Sequence, residues 1–200
     1  MSGKIKKTRP ELLKQRRQLS SFERYLPTLI LKKQQIQMEI LKVRSDRSKI
    51  SKEIENRINS ISDWISLFGE SIPGKITRLV QVKNVLVSQR NVAGIALPVL
   101  NNIEFDVKEY SFFATPPWVD IGINFIKDIL RLRETIRILT EQESLLQKEI
   151  RKVTQRVNLF EKVMIPKTKE NIRVIRIQLA EEETSAVGRA KIAKSKGGKQ

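Results

Sequence analysis

Glu181-Glu182-Glu183 is the run of side chains that most resembles a metal or acid–base cluster. Adjacent carboxylates can offer oxygen ligands to a hard cation, or divide acid and base roles between two groups. Completing either site needs a histidine or a second carboxylate cluster. The chain has no histidine and no second cluster, so the run reads as the solvated face of a helix. The absence of both histidine and cysteine also excludes zinc fingers, thiol chemistry, Ser-His-Asp triads and disulfides. Asn91-Val92-Ala93-Gly94 is not a phosphate loop, having one glycine and no Lys-Ser/Thr after it. Trp64 and Trp118 read as packing residues rather than as a ligand stack. No catalytic, cofactor-binding or metal-ligating residue is assigned, and no cofactor is expected.

The elements that carry these residues are helices of unusual regularity. Thr8-Arg9-Pro10-Glu11 has capping-box spacing with proline in the first turn. A 3-4 apolar alternation then runs from Leu19 through Phe22, Leu26, Leu29, Ile36, Ile40, Val43, Ile50, Ile54, Ile61 and Trp64 to Phe68. Only Lys33, Arg47 and Arg57 interrupt it. A globular amphipathic helix seldom keeps that alternation for so many turns, whereas a coiled-coil helix does. Pro27 should bend the helix without ending it, because the seam keeps its phase across it. Gly69 and Ile72-Pro73-Gly74 mark its end.

A second segment mirrors the first. Thr115 is a candidate N-cap before Pro116 and Pro117. The seam continues through Trp118, Phe125, Ile129, Leu132, Ile136, Leu139, Leu146, Ile150, Val153, Val157, Phe160 and Met164, broken at Gly122 and Glu143. Beyond Met164 the spacing becomes fours, through Thr168 to Ile172, before Ile175 and Leu179 restore the alternation. Such a stutter relaxes supercoiling, and Pro166 falls within it. Between the helices, Ile103, Phe105 and Val107 alternate with Glu104, Asp106 and Lys108, as in a strand. Val80-Gln81-Val82 and Val85-Leu86-Val87 are rich in β-branched residues, with Asn91–Gly94 and Pro98 supplying turns.

The expected fold is therefore all-α dominated. It is a long antiparallel two-helix coiled coil with a short β-hairpin insertion. Its divisions are an N-terminal coiled-coil helix (1–70), a middle hairpin region (71–116), a C-terminal coiled-coil helix (117–187) and a basic, flexible tail (188–200). Seam positions are Ile36, Ile40, Val43, Ile50 and Ile54 on the first helix, with Leu139, Leu146, Ile150, Val153 and Val157 on the second. Sixty helical residues would span about 90 Å, which suits reaching across something better than forming a pocket.

Net charge is +17, from 39 basic and 22 acidic residues. Such an excess raises the possibility of a nucleic-acid partner. Counted by helix, the charge is spread: 16 basic against 8 acidic in residues 1–70, and 18 against 11 in 117–200. A DNA-binding zipper would gather it in one block, and no aromatic-basic interleaving offers base stacking. Nucleic acid is thus not an expected partner. No run approaches the roughly 18 apolar residues of a membrane span, and no signal peptide is evident. Membrane association would come through partner proteins, not direct insertion. A cysteine-free chain fits a cytoplasmic location.

Three stretches carry a family resemblance. Thr8-Arg9-Pro10-Glu11-Leu12-Leu13-Lys14-Gln15-Arg16-Arg17-Gln18-Leu19, the middle NVAGIALPVLNNIEF, and RVNLFEKVMIPKTKENIRVIRIQLAEEE resemble, in order, the D subunit of the V/A-type rotary ATPases. Pro27 departs from the uninterrupted helix expected there. The resemblance implies a non-catalytic central rotor shaft that transmits torque between the catalytic ring and the membrane ion-translocating rotor. Its implied partners are the catalytic and non-catalytic ring subunits (A and B), the F subunit of the stalk, and a funnel-shaped coupling subunit (C/d). It implies a cytoplasmic protein peripheral to the cell membrane, and not a homo-oligomer. The residues expected to face the ring are Leu12, Leu13, Arg16, Arg17, Arg173, Val174, Arg176 and Ile177. The competing expectation is a basic coiled-coil nucleic-acid-binding or scaffold protein.

Overall fold

The computed structural model describes residues 5–60, 79–110, 116 and 118–197. In chain order these form helix α1 (Arg9–Asn59), strands β1 (Val80–Val92) and β2 (Ile95–Val107), helix α2 (Trp118–Leu159), a π-helical turn (Phe160–Met164) and helix α3 (Ile165–Gly197). The expected end of the first helix, including Ile61, Trp64, Phe68, Gly69 and Ile72-Pro73-Gly74, lies outside the described residues, as do Thr115 and Pro117. The chain divides into two compact units. A terminal unit comprises Met1–Lys33 and Lys152–Gln200, and a middle unit comprises Gln34–Arg151. Long helices on either side of an antiparallel hairpin are thus the observed architecture.

Helix α1 continues through Pro27 as one element of 51 residues. At Pro166 the chain uses a different device. The π-helical turn closes with the Ile165 N–H donating to the Phe160 carbonyl, immediately ahead of the proline. A π turn accommodates one extra residue, so the backbone changes its winding where the seam spacing changes to fours. Thr168 occupies the altered seam position, nearly fully buried, and its hydroxyl donates to the Met164 carbonyl at 2.7 Å. Helix α3 then runs to Gly197. That helix takes in residues 188–197 of the expected tail; Gly188 weakens a helix without ending one already nucleated upstream.

The hairpin is longer than its sequence signals, with 13 residues in each strand. Its register joins Val80 to Val107 at the base and Val92 to Ile95 at the tip, with irregularities at Val82/Asn84 and Leu86/Val87. The two shifts fall on opposite strands, so each cancels the other. Only Ala93 and Gly94 form the turn, both with positive φ, and the Asn91 side chain accepts from the Gly94 N–H at 2.9 Å. That is the twist a two-residue hairpin requires. Pro98 is not part of a turn; it lies within β2 opposite Gln89. A two-stranded ribbon has an open side along each strand, where the missing proline N–H costs no ladder bond.

The hairpin is not left bare. At its base, Leu79, Val80, Val119 and Ile123 form a buried cluster, against which Phe105, Val107, Tyr110 and Trp118 pack. Toward its tip, Arg90 pairs with Glu39 on α1, and the Gln142 side chain on α2 donates to the Pro98 carbonyl. Leu97 and Ile103 are buried on β2. A lone hairpin is marginal in water; this one is held by both helices of its unit.

Candidate functional site

Glu183, the end of the acidic run, accepts from Arg9 at 2.7 Å, an ion pair between α3 and the first turn of α1. Lys7 donates to Gln178 at 2.9 Å beside it. The run therefore helps hold the two chain ends together. Among the described residues no three acids, histidines or cysteines are grouped to hold a metal. None of the described helices is long and apolar enough to cross a membrane.

The surface of the terminal unit is where the residues expected to face a ring are found. A shallow groove of ≈ 360 Å³ is lined by Arg9, Leu12, Leu13 and Arg16 of α1, with Arg176, Leu179, Ala180 and Glu183 of α3. Arg176 also borders a second groove with Lys169, Ile172, Arg173 and Ile177. Leu13 borders a third, with Pro10, Lys14, Arg17 and Phe22. Seven of the eight expected residues line these three grooves. Val174 is half-buried and lines none of them. Leu13 on α1 is 54% exposed; on α3, Ile177 is 46% exposed and Ile175 0%, so α3 offers apolar surface on a face other than its buried one. Arg173 is held by Glu170 through two bonds of 2.7 and 2.8 Å. That contact draws the Glu170 carboxyl below its ordinary range.

Beneath this surface the terminal unit is closed by polar as well as apolar contacts. Buried Gln15 donates to Glu11 at 2.8 Å and accepts from Asn171 at 3.2 Å, crossing between the helices. Phe22 and Phe160 meet edge to face with centroids 5.3 Å apart. Lys169 reaches Glu23 at 3.3 Å. Val153, Val157 and Ile175 are buried.

In the middle unit, Ile36, Ile40, Val43 and Leu146 are buried, and Ile50, Ile54, Leu139 and Ile150 are half-buried. The interruptions in the two seams meet each other. Glu143, with its side chain 9% exposed, accepts from Arg44 at 2.7 Å and Arg47 at 2.9 Å. Gln147 donates to it at 3.0 Å. The bond from Arg44, with the charges of both arginines, holds the Glu143 carboxyl below its ordinary range, outweighing burial. Arg57 likewise reaches Asp128 at 2.8 Å. Residue type alone exposed Arg47, Arg57 and Glu143 as exceptions in their seams. Arg44 and Gln142 gave no such signal, since neither interrupts a periodic pattern.

A further surface was not legible. Met38 and Leu41, 68% and 61% exposed, form with Gln34, Gln37, Ile40 and Arg44 a shallow groove of ≈ 590 Å³ on α1. They project beside the seam rather than into it, so the heptad pattern passes over them.

Comparison with known proteins gives this geometry a context. A family model described as the D subunit of ATP synthase matches residues 11–195. The V-type ATP synthase D subunit of Borreliella burgdorferi is 45% identical over 193 residues, covering 96% of this chain and 95% of that protein. Proteins of the same description from Chlamydia abortus and Chlamydia caviae are each 33% identical, over 98% of this chain and 95% of theirs.

Proposed function

This chain belongs to the family of ATP synthase D subunits, and on that premise we propose that it is the central rotor shaft of a V-type ATP synthase. As a shaft it performs no chemistry itself. It transmits torque between a catalytic ring that makes or hydrolyses ATP and a rotor that moves ions across the membrane. The terminal unit enters the ring as an axle, with Leu12, Leu13, Arg16, Arg17, Arg173, Val174, Arg176 and Ile177 toward the ring subunits. Because those residues differ from face to face, each angular position favours a different conformation at each catalytic interface, which couples rotation to nucleotide affinity. The F subunit of the stalk binds along the side of the shaft, and a funnel-shaped protein joins the shaft to the membrane rotor. The protein is cytoplasmic and peripheral to the membrane in this reading.

The observation that carries the proposal is the pairing of the two chain ends. Arg9–Glu183 and Lys7–Gln178 bind the start of α1 to α3 in one unit, whose surface is grooved and apolar in part. The test is affinity purification of the tagged chain from native membranes, followed by identification of the co-purifying chains. The large ATPase subunits should be recovered in stoichiometric amounts. Their absence would sink the assignment.

A further inference from the structure

The division into units regroups the charge. The terminal unit carries 22 basic and 7 acidic residues, a net +15; the middle unit carries 17 and 15, a net +2. Nearly all of the chain's excess therefore belongs to one unit. Its own carboxylates cannot neutralise it, since pairing one to one leaves 15 cations over. Accumulated like charge destabilises a compact unit by self-repulsion. An anionic surface brought against it relieves that repulsion.

The placement of the cations indicates what kind of surface. Lys14, Arg16 and Arg17 are all exposed on α1, and at about 100° per residue they point in three directions around the helix. On α3, exposed Lys167 and Arg176 stand about 180° apart around the axis, flanking buried Ile175. A nucleic-acid duplex would meet one face of the unit. Charge on several faces matches a cavity that encloses it.

We propose that the terminal unit seats in a protein cavity lined with aspartate and glutamate, held there by screened attraction rather than by fitted ion pairs. This rests on the shaft reading and adds the chemistry of the socket. Long lysine and arginine side chains, hydrated and mobile, give an attraction whose larger part is common to all angles, leaving the smaller differences between faces to bias each catalytic interface. A bidentate, buried pair would instead create a deep well at one angle and resist turning. The same unit offers its exposed Leu13 and Ile177 only along shallow grooves, so apolar contact does not fix one orientation either.

The test measures binding of the full chain to the ATPase assembly lacking it, between 0.1 and 0.4 M salt. Over that range the Debye length falls from about 10 Å to about 5 Å, and affinity should fall by at least about tenfold. The triple variant Lys14→Gln/Arg17→Gln/Lys167→Gln should bind about tenfold more weakly at the lower salt and show a shallower salt dependence. A matched triple in the middle unit, Lys42→Gln/Lys52→Gln/Lys148→Gln, should bind like the unmodified chain. Equal losses from both triples, or binding indifferent to salt, overturn the acidic socket and leave the shaft standing. Failure to bind the assembly at any salt overturns both. Tighter binding to a duplex DNA probe than to the assembly, at equal salt, overturns the protein cavity in favour of a nucleic-acid partner.

Discussion

Replacing Glu143 with alanine should destabilise the protein by about 1–3 kcal/mol, through the loss of the contact that joins the interrupted seams. Breaking a fully buried ion pair costs roughly 3–5 kcal/mol, because the remaining charge is stranded. Here only the carboxylate is buried. Arg44 and Arg47 are 51% and 41% exposed and can turn to water, which moves each pair toward the exposed range of about 0.2–1 kcal/mol. The Gln147 bond adds about 0.5–1.5 kcal/mol. For a chain of this size, a central loss of about 2 kcal/mol lowers the melting temperature by about 4–8 °C. Glu143→Leu provides the contrast. A seam leucine regains about 1.5–3 kcal/mol if fully buried, so this variant should lie within about 1 kcal/mol of the unmodified protein.

The effect also has a pH signature. A carboxyl held below its ordinary range when folded contributes stability that is present above its unfolded pKa and is lost as pH falls through the folded value. Glu143 is lowered chiefly by the bond from Arg44, aided by the charges of Arg47 and Arg44. The gap between the unmodified chain and Glu143→Ala should therefore be full at neutral pH and shrink in acid, below the usual glutamate pKa of about 4.3. Urea unfolding followed by far-UV circular dichroism, repeated from pH 7 down to pH 3, measures it. Equal stability at pH 7, or a gap that does not change in acid, would refute the reasoning.

Three further outcomes follow from particular positions. Ala93 holds φ 52° in the hairpin turn, a conformation costing an L-residue about 1–2 kcal/mol. Ala93→Gly should raise stability by about 0.5–1 kcal/mol after its larger unfolded-state entropy is counted, a rise visible in thermal melts. Leu146 is fully buried, so Leu146→Ala should cost about 2–5 kcal/mol and lower the urea midpoint markedly. Val174→Ser/Ile177→Ser should melt within a few degrees of the unmodified chain, yet bind the catalytic assembly less well or loosen its ATP turnover. Normal assembly and turnover would show that this part of α3 is not a bearing.

Periodicity alone was enough for the helices, because a 3-4 apolar alternation has only one way to be buried and each seam carries its own record of it. The hairpin was readable at Ile103, Phe105 and Val107, where alternation is strict. It was under-read toward Pro98, since the twist of a ribbon and its two offsetting bulges leave no fixed period. Pro166 marked the place where the winding changes, but only the backbone shows that a π turn, not a break, absorbs it. Glu143, Arg47 and Arg57 were visible as exceptions to their seams. That Glu143 meets Arg44 and Arg47, and that Arg57 meets Asp128, depends on the register of two helices whose paired residues lie far apart in sequence (99 residues for Arg44 and Glu143, 71 for Arg57 and Asp128), which no local pattern encodes. Charge makes the same point on a larger scale. Along the chain the basic excess is divided between two helices and looks even. Folding joins the beginning of one helix to the end of the other, and the same residues become one strongly basic unit, while the other unit is nearly neutral. Composition determined the total of +17; only the antiparallel pairing of distant segments decided where that charge is concentrated, because electrostatic fields add through space and not along the sequence.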